Sequence, residues 1–508
     1  MSFAKTKTVA FSGVSTKLIE VQVAISPGQP TLNIVGLASK SVSESKDRIR
    51  SAISSIGLSI PAKRITVNLS PADVVKEGNH YDLPIALCIL AAIGNIEPEK
   101  IEHTISLGEL TLDGKITYTS GVLPAGVAAK ENKYELVCSE ESLSEAIFLG
   151  DSIKINAPSN LMDLFYFYSK NKPLPIIKPN KNDLFVEKTY DAKYCMSNIK
   201  GQYVAKRAME IAASGGHNVI LIGSPGTGKT MLAKSLHTIM PDLTYNEMLE
   251  VAMIKSIAGR TKDEKLSNQI PFRNPHHSSS IPAIVGGGRN AKPGEVSLAH
   301  NGILFLDEFA EFPVSVLDSL RQPLENGEIE VARAESHVTY PASFQLVAAM
   351  NPCKCGYLWD QKKSCSKVPL CGTQYMTKVS GPIMERIDIQ VAIYNTGIEL
   401  FDKNQSNKTE TSQEIMLRVL KAREMQSKRY KNTNIKLNKN LSGQNLETFC
   451  ILDSKAKSVI EKAANKMELS MREYHKILKV SRTIADMCES ENIQEDHILE
   501  ALTYRLSK

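Results

Sequence analysis

The residues able to do chemistry gather first around one phosphate-binding pattern. Asn218-Val-Ile-Leu-Ile222 is a short apolar run of buried-strand character. It leads directly into Gly223-Ser224-Pro225-Gly226-Thr227-Gly228-Lys229-Thr230, then the helix-forming Met231-Leu-Ala-Lys-Ser-Leu. This is the Gly-x4-Gly-Lys-Thr pattern in the strand, loop and helix setting it requires. The glycines let successive backbone N–H groups face one anion, and the helix N-terminus adds partial positive charge. Lys229 is suited to reach β- and γ-phosphates, and Thr230 to offer its hydroxyl to Mg²⁺. A second apolar run, Asn301-Gly-Ile-Leu-Phe-Leu306, ends in Asp307 and Glu308. There Asp307 organises Mg²⁺ and Glu308 polarises an attacking water. A third, Gln345-Leu-Val-Ala-Ala-Met350, ends in Asn351, whose amide can orient that water.

These strand tips need an α/β scaffold, which the pattern places from about 190 to about 395. The chain has 508 residues, 23% charged and 42% hydrophobic, with a net charge of +6. At roughly 150 residues per domain, about three domains are expected. The composition excludes a wholly disordered or fibrous chain, and a charge of +6 permits nucleic-acid binding without arguing for it. The N-terminus lacks an apolar signal region, and the most apolar stretch, Leu83 to Ile93, is far short of a membrane span. The expectation is a cytoplasmic protein with no membrane partner. Residues 1–168 read as a mixed α/β unit. Ile19, Val21, Val23 and Ile25 alternate at strand period, Val42, Ile49, Ala52 and Ile53 share a helix face, and Tyr81 to Ile93 reads as a buried helix. Residues 169–189, rich in lysine and proline, read as a linker, residues 190–396 as the core and 397–412 as a polar connector. Residues 413–508 are helical, with Tyr474, Ile477, Leu478, Ile484 and Ala485 at helical spacing.

The three strands in this order resemble the AAA+ ATPase core. Pro271-Phe-Arg-Asn-Pro-His-His277, Gly286-Gly-Gly288 and Pro293-Gly-Glu-Val-Ser-Leu-Ala-His-Asn-Gly302 resemble its magnesium-chelatase-like branch. Ala349-Met-Asn-Pro-Cys-Lys-Cys-Gly356 and Ser380-Gly-Pro-Ile-Met-Glu-Arg-Ile-Asp-Ile389 are similar to the YifB/ComM family within it, as are Lys63-Arg-Ile-Thr-Val-Asn-Leu-Ser-Pro-Ala-Asp73 and Tyr474-His-Lys-Ile-Leu-Lys-Val-Ser-Arg-Thr-Ile-Ala-Asp486. The resemblance covers almost the whole chain. It implies an α/β protein with three parts: an S5/Lon-protease-like α+β domain, a P-loop AAA+ core and a C-terminal helical lid. It implies ATP and Mg²⁺ as cofactors and a homo-hexameric ring. Asn351 then matches the sensor-1 position, Arg386 an arginine finger directed at a neighbour's γ-phosphate, and Arg472 the sensor-2 arginine. Family members of the ComM type act as ring helicases that migrate DNA branches during natural transformation. The magnesium-chelatase likeness implies the alternative, a motor that remodels a protein or metal-insertion complex.

In the family the N-terminal region resembles a fold that carries a Ser-Lys dyad in active proteases. Here the matching segment, Lys76 to Asp82, has no serine and Leu123 stands at the lysine position, so proteolysis is not expected. Four of nine cysteines form Cys353-x-Cys355-x9-Cys365-x5-Cys371 in an insert spanning 353–371. Four soft ligands suit a structural Zn²⁺; free thiols in a surface loop are the other reading. The expected DNA contacts are Arg289 and Lys292 in the Gly-rich insert and Arg333 in a hairpin before Asn351. His276 and His277 are adjacent, which argues against a helical metal pair and for local packing or hydrogen bonding.

Overall fold

The computed structural model describes residues 2–150, 152–174, 185–186, 191–260, 266–288, 291–332, 337–359, 363, 367–394 and 409–505. Two sheets and a set of C-terminal helices organise it.

The N-terminal sheet has seven strands, in the spatial order Thr31–Val35, Arg64–Ser70, Ser15–Ser26, Ser2–Ser12, Thr104–Ser106, Glu135–Val137 and Ile155–Asn156. Alternation sets its register. Ile19, Val21, Val23 and Ile25 face the core while the residues between them are half-exposed. That face is covered by the helices Lys40–Ser55 and Asp82–Ile93. The second is apolar all round and buried from Asp82 to Ala92, as a helix with no solvent face must be. Asp82 sits at its start, where the helix dipole favours a carboxylate, and accepts two hydrogen bonds from Arg48, at 2.6 and 3.0 Å. Leu123 is fully buried, and its backbone N–H donates to the Glu145 carboxylate at 3.0 Å.

The second sheet is parallel, in the order Phe272–Arg273, Ile303–Leu306, Gln345–Met350, Val219–Gly223 and Ile389–Ile393. Its three inner strands are buried on both faces, which explains their unbroken apolar runs. Consecutive C-terminal ends therefore point to one edge, where loops meet ligands in open α/β sheets. The hairpin expected before Asn351 is present as Glu328–Ala332 paired with His337–Pro341.

The helices Ser412–Arg429, Ser454–Lys466, Met471–Met487 and Glu495–Thr503 close the chain. Ser412–Arg429 and Met471–Met487 start with reciprocal capping boxes, Thr411 with Glu414 and Ser470 with Glu473. Buried Asp486 ties this region together, accepting from Arg429 Nη1 at 2.9 Å, Arg482 Nε at 3.1 Å and Asn438 Nδ2 at 2.9 Å. One apolar core runs from Val9 and Ile105 through Val219 and Val347 to Ile477 and Ile484. Among the described residues no helix is long and apolar enough to cross a membrane.

Candidate functional site

The phosphate loop leaves the buried strand Val219–Gly223 and enters the helix Lys229–Ile239. Gly226 and Gly228 take φ of 79° and 87°, left-handed values that a side chain resists. Those two residues turn the backbone so that the loop faces its own cavity. Lys229 folds across the loop. Its Nζ donates to the carbonyls of Gly223 at 2.7 Å and Ser224 at 2.9 Å, and to Asn351 Oδ1 at 3.1 Å. Burial lowers the Lys229 pKa, and the charge of Asp307 opposes that shift. Thr227 Oγ1 donates to the Ser224 carbonyl at 2.9 Å, which fixes the loop from inside.

The acidic strand tip completes the site. Thr230 Oγ1 donates to Asp307 Oδ2 at 2.8 Å, so the two oxygen groups expected to hold Mg²⁺ are adjacent. Hydroxyl and carboxylate oxygens beside a phosphate loop suit a hard divalent cation. Glu308 follows at φ 53°, an uncommon conformation for a non-glycine residue, and its backbone N–H donates to Asp307 Oδ1 at 3.0 Å. Its side chain is more than half exposed and faces the same cavity. That cavity is about 700 Å³ and is lined by the phosphate loop, Asn274 to His277, Asp307, Glu308 and Asn351. Pro225, Gly226, Thr227, Gly228, Lys229 and Thr230 line the cavity together with Asp307, Glu308 and Asn351, while Gly223 and Ser224 lie behind them and offer their carbonyls to Lys229.

His277 is the residue whose place the sequence left general. Its Nδ1 lies 2.9 Å from Glu308 Oε2, and its ring stacks on His276 with centroids 4.1 Å apart. The turn after the short strand Phe272–Arg273 carries both histidines to the site. A contact at this distance restrains the carboxylate expected to meet the attacking water. His277→Ala is expected to lower kcat by between roughly ten- and a hundredfold with little change in KM, the signature of a mispositioned group. Steady-state ATP hydrolysis checks it; a change in KM alone would contradict it.

Arg386 and Arg472 are not brought to this cavity. Arg386 pairs with Glu325 and donates to the Pro382 carbonyl, while Arg472 pairs with Glu385. Both line a second cavity of about 760 Å³ between the core and the C-terminal helices, together with Lys436, Lys439, Lys476 and Lys479. Burial pushes the Lys439 pKa down to about 8, although Asp388 opposes this.

The cysteines are only partly assembled. Cys353 and Cys355 bring their Sγ atoms to 3.1 Å, and Cys371 lies on the helix Leu370–Met376. Cys365 lies outside the described residues. Among the described residues no three His, Cys, Asp or Glu side chains converge on a point that would hold a metal ion. The expected four-cysteine Zn²⁺ set is therefore not supported among the described residues, where Cys353 and Cys355 form a pair and no third ligand joins them. Of the expected DNA contacts, Arg289 and Arg333 lie outside the described residues. Lys292 is exposed on the strand Lys292–Pro293, beside a cleft that also holds Lys17, Asp73 and Glu77.

Comparison with known proteins agrees with this geometry. A family model described as "Magnesium chelatase, subunit ChlI" matches residues 195–400. Models described as "Subunit ChlI of Mg-chelatase" and "Magnesium chelatase, subunit ChlI C-terminal" match residues 21–142 and 409–505. The chain is 42% identical over 511 aligned residues to Competence protein ComM of Haemophilus influenzae, covering 99% of this chain and 98% of that protein. It is 39% identical to the uncharacterized protein YifB of Escherichia coli, covering 99% and 97%. A more distant relative, the Maternal DNA replication licensing factor mcm6 of Xenopus tropicalis, is 23% identical over 59% of this chain and 33% of its own length. With full-length identity at this level and a formed phosphate loop beside an acidic strand tip, the chain belongs to the YifB/ComM family of magnesium-chelatase-like AAA+ ATPases.

Proposed function

We propose that this ATPase is a ring-forming motor that acts on single-stranded or branched DNA and drives branch migration. The observation that carries the ring is the separation of two half-sites on one chain. One cavity holds the phosphate loop, Asp307, Glu308 and Asn351; the other holds Arg386 and Arg472. Charge that develops in phosphoryl transfer is stabilised by a guanidinium, and Arg386 and Arg472 of this chain line the other cavity. A neighbouring copy would supply them, which is the geometry of a closed homo-oligomer, read here as a hexamer. In the loaded state Lys229 and the loop N–H groups bind the β- and γ-phosphates, and Thr230 and Asp307 would hold Mg²⁺. Glu308 then takes the proton of the attacking water, and Asn351 orients that water.

The DNA reading draws on the relatives, one named a competence protein and another a DNA replication licensing factor. In this reading the N-terminal 1–168 part assembles the ring or binds substrate. The inserts carrying Lys292, Arg289 and Arg333 face the translocated strand. Single-stranded and branched DNA are expected to stimulate ATP hydrolysis, with stimulation falling steeply as salt rises. No stimulation even at low salt would contradict it and favour a motor that remodels a protein complex.

The inter-subunit role has its own test. Arg386→Ala is expected to keep ATP binding, lose hydrolysis, and depress turnover more than proportionally when mixed with wild-type protein. Turnover in mixtures that simply tracks the wild-type fraction would argue against an arginine acting between copies.

A further inference from the structure

The phosphate loop has an aromatic neighbour that the catalytic account does not use. The chain's single tryptophan, Trp359, lies with its ring centroid 5.4 Å from that of Tyr394, the planes tilted by 43°. Tyr394 is 62% exposed and Trp359 37%, unusual for large rings already in contact with each other. Two links fasten this pair to the loop. Gly223 pairs with Ile393 in the sheet, so Tyr394 begins where the phosphate loop begins. Gly356, at φ 83°, lies so close to Pro225 of the loop that a Cβ there would meet the Pro225 Cδ at 2.6 Å. A third element closes the group. Gln202 takes a left-handed φ of 53° at the start of the helix Tyr203–Gly215, and its Nε2 donates to the Tyr394 carbonyl at 2.8 Å.

The sheet order places this pair relative to the phosphate loop. Asp307 and Asn351 stand at the tips of the two strands on one side of Val219–Gly223, where the γ-phosphate chemistry is done. Ile389–Ile393, followed by Tyr394, stands on the other side. A nucleoside triphosphate anchored by its terminal phosphates must lay its base away from the γ-phosphate end. We infer that Trp359 and Tyr394, braced by Gln202, form the stacking platform for the purine base of the bound nucleotide. This rests on the reading of Gly223 to Thr230 as the triphosphate site. It also gives the cysteine-bearing segment a task without metal: through Gly356 and Trp359 it touches both the phosphate loop and the base.

Because Trp359 is the only tryptophan, its emission reports on the platform in the full-length protein. MgATP is expected to change that emission, whereas inorganic tripolyphosphate, which has phosphates but no base, should compete with ATP and leave emission unchanged. Tyr394→Ala is expected to weaken ATP binding about tenfold, as loss of one aromatic stacking partner does, while tripolyphosphate affinity stays within about twofold. Trp359→Phe keeps a ring and should retain ATP affinity. Silent emission while ATP and tripolyphosphate still compete would overturn the platform and spare the phosphate site. Equal weakening of both ligands by Tyr394→Ala would do the same, since it would mark a structural role. Emission that responds to single-stranded DNA and not to ATP would also overturn it. Failure of both ATP and tripolyphosphate to bind wild-type protein would instead remove the triphosphate site, and the platform with it.

Discussion

Glu308→Gln protein is expected to fill with ATP and then stop. The amide keeps the size and reach of the side chain and removes its ability to accept a proton from water. General-base catalysis contributes about 10²- to 10⁴-fold, so turnover should fall by at least about a hundredfold. Affinity for ATP should change little, because the loop and Lys229, not Glu308, are the groups expected to hold the phosphates. The backbone supports the same expectation. Glu308 sits at φ 53°, a conformation tolerated where position matters more than local ease, and His277 meets its carboxylate at 2.9 Å. The measurement is nucleotide retention together with single-turnover hydrolysis. Normal turnover in the variant would remove Glu308 from the role assigned to it.

Lys229→Ala should abolish ATP binding itself. In the structure its ammonium is held between the Gly223 and Ser224 carbonyls and Asn351 Oδ1, inside the loop and partly stripped of water. All three donors of this ammonium are engaged with protein oxygens, so ATP binding is expected to exchange some of these contacts for phosphate oxygens. Each charge-assisted hydrogen bond is worth roughly 1.5 to 3 kcal/mol, and about 1.4 kcal/mol is a factor of ten. Losing two such bonds to phosphate predicts a fall in affinity of between about a hundred- and ten-thousandfold. The alanine also leaves two carbonyls pointing at an anion with nothing between them. Equilibrium binding of ATP checks this, with the melting temperature of nucleotide-free protein as the control for folding. Binding within tenfold of wild type would contradict the assignment.

The setting of Lys229 is legible in the sequence because it is local. A buried strand, a loop with glycine at two left-handed positions and a helix follow one another without interruption from Val219 to Ile239. Asp307 and Asn351 were legible for a different reason. Each ends a continuous apolar run, and in a parallel sheet such ends converge on one edge even when they are far apart in sequence. His277 was not legible in the same way. The strand before it, Phe272–Arg273, has only two residues and carries no periodicity, and its partner Glu308 belongs to a different turn. Arg386 and Arg472 could be named from their motifs, but a motif does not say which cavity a side chain faces. Their shared cleft with Lys436 and Lys476 depends on how the C-terminal helices sit against the core. The four-cysteine reading rests on ligand softness and spacing; among the described residues the spacing brings Cys353 and Cys355 together and builds no three-ligand cluster.

The net charge of +6 shows the same limit from the other side. Lysines of the second cavity are spent on backbone carbonyls: Lys476 on Ile387 at 2.9 Å and Lys479 on Lys439 at 3.0 Å. Such lysines count toward the basic total without presenting a free charge, and a functional measurement identifies the polymer on which the proposed motor works.

The most direct such measurement follows a labelled three-strand DNA junction with purified protein and ATP. Wild-type protein should resolve the junction by branch migration, and Glu308→Gln protein should bind it and leave it unmoved. A wild-type protein that hydrolyses ATP at a rate indifferent to the junction, and leaves the junction where it was, would contradict the account.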